Sequence, residues 1–250
     1  MSYYTLVTSL PHLPYLFANR QLPCSRIQLD RRLGMLQEQD RAQLELMESL
    51  LWWDHQGRAL HSDEALSHQL RIRLQELQSQ PLREFSEWQL ELRTLIAALR
   101  RRRLEPGESH LGSDWGVGRW SQRIRAKWQE PVFGLEFCFP FASELRHLLE
   151  QDQSLAVEKL LLRELWQRLT RLLDGHYFDF EAVALYVMRW HLIERFIHHQ
   201  REAALSRFDQ LTDRVLSDVD GLLLAMESTP GHLSSGQSLQ PHTEGLHRDG

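Results

Sequence analysis

The chain has 250 residues, of which 42% are hydrophobic and 25% charged, with 13 Gly and 9 Pro. That is enough apolar material for one large domain or two modest ones, and it excludes a wholly disordered or collagen-like chain. A formal net charge of −5 argues against a dedicated polyanion binder, which would normally be basic.

The opening, Tyr3 to Leu16, is short and apolar, carries Pro11 and Pro14, and reads as an extended or briefly helical segment packed on the body. Ser25 with Gln28 is a capping-box signal for a helix to about residue 36, with Ile27, Leu29 and Leu33 as apolar positions. Asp40 is the expected N-cap of a helix over 41–53, which carries Leu44, Met47, Leu50 and Leu51. Ser62 is expected to start another, to about residue 78. The clearest helix is predicted over 81–103. Pro81 suits its first turn, and Phe85, Trp88, Leu92, Leu95 and Leu99 recur at spacings of three and four. A run of four arginines closes it where the helix dipole favours cations. Pro106, Gly107, Gly112, Gly116 and Gly118 mark a loop over 104–118, the expected boundary between two helical regions.

Beyond it, 119–129 reads as a short basic helix and 131–139 as an aromatic extended or looped stretch. Pro140 opens a helix to about 152, Ser154 caps one to about 173, and Gly175 stops it. Asp179 is expected to cap a helix over 180–200 that is apolar all round at 182–188, the mark of a buried central helix. A last helix is predicted over 201–227, and the Ser-, Gly- and His-rich tail 228–250 is expected to be disordered. The expected fold is therefore all-α, an elongated multi-helix bundle of about eight to ten helices. Its regions are 1–103, the loop 104–118, 119–227 and the tail. Phe85, Trp88, Leu92, Leu165, Val187 and Trp190 are its expected core.

Charge is uneven along the chain. Residues 1–103 hold 14 basic and 12 acidic side chains, whereas 104–227 hold 14 basic and 20 acidic. Cys24 and Cys138 cannot build a disulfide scaffold or a four-thiolate metal site, so a reducing compartment is expected. The N-terminus lacks a basic region and a long apolar run, and the longest uncharged apolar stretches fall far short of the ~20 residues a bilayer requires. A cytoplasmic protein without membrane insertion is expected.

Two constellations stand out. His191, Glu194 and His198 share one face of a helix and are in reach of a single metal ion. The spacing is not H-E-x-x-H and a second carboxylate–His helix is absent, so the expected role is structural and no metal is expected. A helical metalloenzyme on these three residues is the lesser alternative. The second constellation is a net-positive segment, 100–128. Arg100, Arg101, Arg102, Arg103, Arg119, Arg123, Arg125 and Lys127 are interleaved there with Trp115, Trp120 and Trp128. Cation and aromatic together suit an acidic protein partner, or single-stranded nucleic acid as the alternative. Trp115-Gly116-Val117-Gly118 follows no strand and lacks a third Gly, so it is not a dinucleotide fingerprint. No local catalytic motif is present, so no enzyme activity, cofactor or small-molecule substrate is expected.

Further stretches are the opening Tyr3-Tyr4-Thr5-Leu6-Val7-Thr8-Ser9-Leu10-Pro11 and the helix Phe85-Ser86-Glu87-Trp88 onward to Leu99. Later come Arg163-Glu164, Phe178-Asp179-Phe180-Glu181-Ala182-Val183 and Leu192-Ile193-Glu194-Arg195-Phe196. Together these stretches resemble a bacterial family of unknown function encoded within V-type (A/V-type) ATPase operons. The resemblance spans about residues 3–215. Thr94 departs from the Asn expected there, and Gln167-Arg168 stands where an acid is expected. The family is similar in size and helix content to the C/d class of V-type ATPase proteins. What the resemblance implies is a non-catalytic stalk or rotor adaptor between the soluble motor and the membrane ring. It would support ATP-coupled ion transport, peripheral to the inner membrane, with ATPase stalk and ring subunits as partners. Arg100–Arg103, Trp115, Arg119, Trp120, Arg123, Arg125 and Lys127 are the expected docking residues, and no nucleic acid is expected.

Overall fold

The computed structural model describes residues 3–18, 21–51, 63–107, 115–201 and 212. All regular structure among them is helical, with no strand. The chain divides into two units, residues 1–200 and 201–250, and both apolar cores described below lie in the first. The helix expected over 201–227, apart from Arg201 and Thr212, and the tail 228–250 lie outside the described residues, as do residues 108–114 of the Gly/Pro loop.

The elements are α1 (Tyr3–Ser9), a 3-10 turn (Leu16–Ala18), α2 (Arg26–Leu33), α3 (Glu38–Leu51), α4 (Asp63–Gln75), α5 (Gln80–Leu104), α6 (Ser121–Ala126), α7 (Ala142–Glu150) and α8 (Ser154–Leu172). A further helix, α9, covers 180–201. Local chemistry sets several ends. Ser25 Oγ accepts from the Gln28 N–H at 3.3 Å, and the Gln28 side chain accepts from the Ser25 N–H at 3.2 Å, a complete capping box. Asp179 Oδ1 accepts from the Ala182 N–H at 2.9 Å and caps α9. Arg93, on α5, donates to the carbonyls of Leu50 and Leu51 on α3. Asp40 does not cap α3, which begins at Glu38; its carboxylate instead accepts from the Tyr3 hydroxyl.

Two apolar cores form. The first gathers Leu6, Leu29, Met47, Leu51, Phe85, Leu165, Val187 and Trp190 from α1–α5, α8 and α9. The second gathers Leu95, Leu99, Trp115, Ile124, Phe133, Phe139, Leu145 and Leu160 from α5–α8 and the turns between them. Each core collects residues from both sides of the 104–118 stretch. Five of the six expected core residues are buried. Trp88 is instead half-buried, its ring packed against both cores and under the Arg168 guanidinium at 4.7 Å. Trp190 is 0% exposed and its indole N–H donates to the Cys24 carbonyl at 3.0 Å, so α9 is pinned by both apolar and polar contact. The 131–139 stretch is a chain of turns, with Phe133 at φ 59 and Gly134 at φ 64.

Candidate functional site

The basic, Trp-bearing segment splits into side chains spent on the fold and side chains left at the surface. Arg102 sits over the Phe133 ring at 4.6 Å and donates to the carbonyls of Trp128, Glu130 and Pro131. It thereby clasps the turn after α6. Arg103 pairs with Asp152 at 2.5 Å, and Arg101 with Glu105 at 3.6 Å. Lys127 pairs with Glu130 at 2.5 Å. Trp115 and Trp128 are buried in the second core. Arg100 is exposed and Arg125 half-buried.

The remaining members form a ladder. Arg119 lies 5.0 Å over the Trp120 ring, Trp120 meets Phe137 edge to face at 5.3 Å, and Arg123 lies 5.1 Å over Phe137. The Arg119 side chain is 69% exposed and Phe137 is 63% exposed. Sequence reasoning missed Phe137, because it enters from the turns after α6, fourteen residues beyond Arg123.

Beneath the ladder lies Glu91 of α5, whose carboxylate is almost wholly buried. It accepts from the Arg119 backbone N–H at 3.2 Å and from the Trp120 indole N–H at 3.1 Å, and pairs with the Arg119 guanidinium at 3.2 Å. Burial pushes the Glu91 carboxyl above its ordinary range, against the lowering effect of Arg119 and Trp120. One turn on, Thr94 Oγ1 accepts from the Val117 N–H at 3.0 Å. Arg71 of α4 donates to the Gly116 carbonyl at 2.9 Å. The loop 115–120 therefore lies flat on α5. That approach needs its glycines: a Cβ on Gly116 would stand 2.6 Å from Thr94 Cγ2, and one on Gly118 2.2 Å from Glu91 Cγ. So Gly116 and Gly118 serve a helix-docking loop.

His191, Glu194 and His198 do not converge on a common point. His191 Nε2 lies 2.6 Å from Glu48 Oε1, on α3, and its Nδ1 lies 3.4 Å from Glu194 Oε2. Arg26 of α2 pairs with the same Glu48 oxygen at 2.7 Å and, through Nε, with Asp30 at 2.8 Å. Burial works against the charge on both Glu48 and His191, but the hydrogen bonds win: His191 and Arg26 hold Glu48 down to about 2, and Glu194 and Glu48 hold His191 above its usual range. This cluster joins α2, α3 and α9. Among the described residues, the group with metal-ligand proximity is His176, Asp179 and Glu181. Its Asp179 already bonds His176 at 2.7 Å and caps α9, whose positive end disfavours a cation.

A pocket of about 120 Å³ lined by Tyr3, Leu6, Met35, Leu36 and Asp40 is below the usual size of a ligand site. Among the described residues, no helix is long and apolar enough to cross a membrane. No protein-family model, curated protein or solved structure matches the chain.

Proposed function

We propose that this chain is a non-catalytic, protein-binding component of a bacterial V-type ATPase, a stalk or rotor adaptor between the soluble motor and the membrane ring. The family assignment comes from the resemblance of the opening Tyr-Tyr…Ser-Leu-Pro segment and the α5 and α9 stretches. One structural observation supports the adaptor role. The displaced carboxyl and imidazole groups, Glu48, His191 and Glu91, each bind partners on other elements. Polar groups deployed in this way lock helices together, and close-packed interiors of this kind transmit strain. An adaptor needs that rigidity, together with surfaces for two partners. The Arg119–Phe137 ladder serves as one of them.

Affinity purification of the tagged protein from its own cells, with mass spectrometry, tests the assignment. Co-purification of ATPase A, B or ring subunits is the expected result. Isolation of the ATPase at full activity from cells lacking this protein would overturn it.

A further inference from the structure

We propose that Arg119, Trp120, Arg123 and Phe137 form a preorganised docking site for an acidic segment of a partner protein. That the ligand is a protein rests on the adaptor role proposed above; the residues and their preference for carboxylates rest on geometry. Residues 115–129 contain Arg119, Arg123, Arg125 and Lys127 and no acid. Lys127 is held by Glu130, and Glu91 beneath the loop is buried, so it cannot reach a partner in solvent. Arg119, largely exposed although paired with Glu91, and the half-buried Arg123 carry the positive charge of the ladder. Arg123 donates through Nε to the Gly134 carbonyl at 3.1 Å, which orients its guanidinium, while Arg119 is held by its backbone N–H on Glu91 and by an ion pair from Nε to the same carboxylate. Both arrangements leave the two terminal amino groups as a fork for carboxylate oxygens.

Phe137 supplies the apolar part. A phenyl ring left 63% exposed beside an indole and two guanidinium groups has the composition of an interface anchor. Its orientation is set before any partner arrives, by Trp120 on one side and Arg123 on the other, so little side-chain freedom is lost on binding. The same stacking disfavours single-stranded nucleic acid. A base stacks on an open ring face, and here Arg119 covers one face of Trp120, Arg123 covers one face of Phe137, and the two rings meet edge to face, so fewer faces are left for bases. Glu136, exposed and next in sequence to Phe137, adds a local repulsion that a carboxylate ligand must overcome.

The test uses the full chain and three fluorescein-labelled probes followed by anisotropy: a Glu-rich peptide with two Leu, the same peptide with every Glu replaced by Gln, and single-stranded oligo(dT). The Glu peptide should bind, its Gln counterpart should bind at least ~10-fold more weakly, and raising NaCl should weaken the Glu peptide. Phe137→Ala and Arg123→Gln should each weaken it about fivefold or more, while Glu136→Gln should tighten it. Unchanged thermal unfolding of Phe137→Ala, whose ring is exposed, separates lost contact from lost fold. Equal binding of the Glu and Gln peptides, tighter binding of oligo(dT), or full binding by Phe137→Ala overturns the proposal. These outcomes are independent of the purification from cells. Peptide binding without ATPase proteins in the purification removes the adaptor role and keeps the site; ATPase proteins that co-purify with Phe137→Ala as with wild type remove the site and keep the role.

Discussion

Gly118 and Gly175 share a backbone conformation but not a neighbourhood, and alanine at each should separate strain from crowding. Gly118 has φ +93 and Gly175 φ +91. At Gly175 a Cβ would meet nothing within 4 Å, whereas at Gly118 it would stand 2.2 Å from Glu91 Cγ and 3.0 Å from Glu91 Oε1. Gly175→Ala should therefore cost only the backbone strain, about 1 kcal/mol. Gly118→Ala adds the displacement of a buried carboxylate that holds the Arg119 and Trp120 N–H groups at 3.2 and 3.1 Å. Losing those two buried bonds costs roughly 1–2 kcal/mol each, for a total of about 3–5 kcal/mol. Urea unfolding with an unchanged m-value measures both variants. In a Glu91→Ala background the clashing side chain is gone, so the cost of Gly118→Ala should drop towards that of Gly175→Ala, a coupling of about 2–4 kcal/mol. Equal costs for the two glycines, or an undiminished Gly118 penalty without Glu91, would refute the docking of this loop on α5.

Further outcomes follow from the buried links. Glu48 is lowered from its ordinary 4.5 to about 2, so its contribution, about 3 kcal/mol, is present above pH 4.5 and lost as pH falls towards 2. His191 is raised above 6.5, so its contribution is present below that value and lost as pH rises through the folded pKa. Melting temperature should thus be highest between these two limits, and Glu48→Gln should flatten the profile; an unchanged profile in that variant contradicts the link. Arg102→Lys should lose about 1–3 kcal/mol, since an ammonium cannot serve three carbonyls and the Phe133 face as the fork does, while Arg100→Ala, exposed, should stay within about 0.5 kcal/mol in the same unfolding assay. Trp190→Phe keeps most of the ring but leaves the Cys24 carbonyl unpaired, and should lose about 2 kcal/mol on calorimetry; a loss near zero would show that water reaches that carbonyl.

Signals that act over three or four residues are legible in the sequence. The Ser25–Gln28 box, the Asp179 cap and the apolar seam of α5 are such signals, because helix periodicity places their partners nearby. Asp40 has the chemistry of a cap, yet its actual partner, the Tyr3 hydroxyl, lies thirty-seven residues away. Trp88 fits the seam by spacing, but it sits where the two cores meet and keeps part of its ring in solvent. The basic segment shows the larger gap. Counting charges cannot separate Arg102, spent on three carbonyls, from Arg119, which faces solvent, since that division depends on how the turns after α6 fold back. Nor can spacing reveal that Gly116 and Gly118 lie against Thr94 and Glu91, a contact between segments more than twenty residues apart.

The long helix α5 belongs to both cores: Leu82, Phe85 and Leu90 lie in the first, and Leu92, Leu95 and Leu99 in the second. At 1.5 Å per residue, its 25 residues run about 37 Å. Either half alone, about a dozen residues, is too short to persist as a helix in water. Melting one core would therefore fray the rod that the other is built on, and the two should unfold in a single cooperative step.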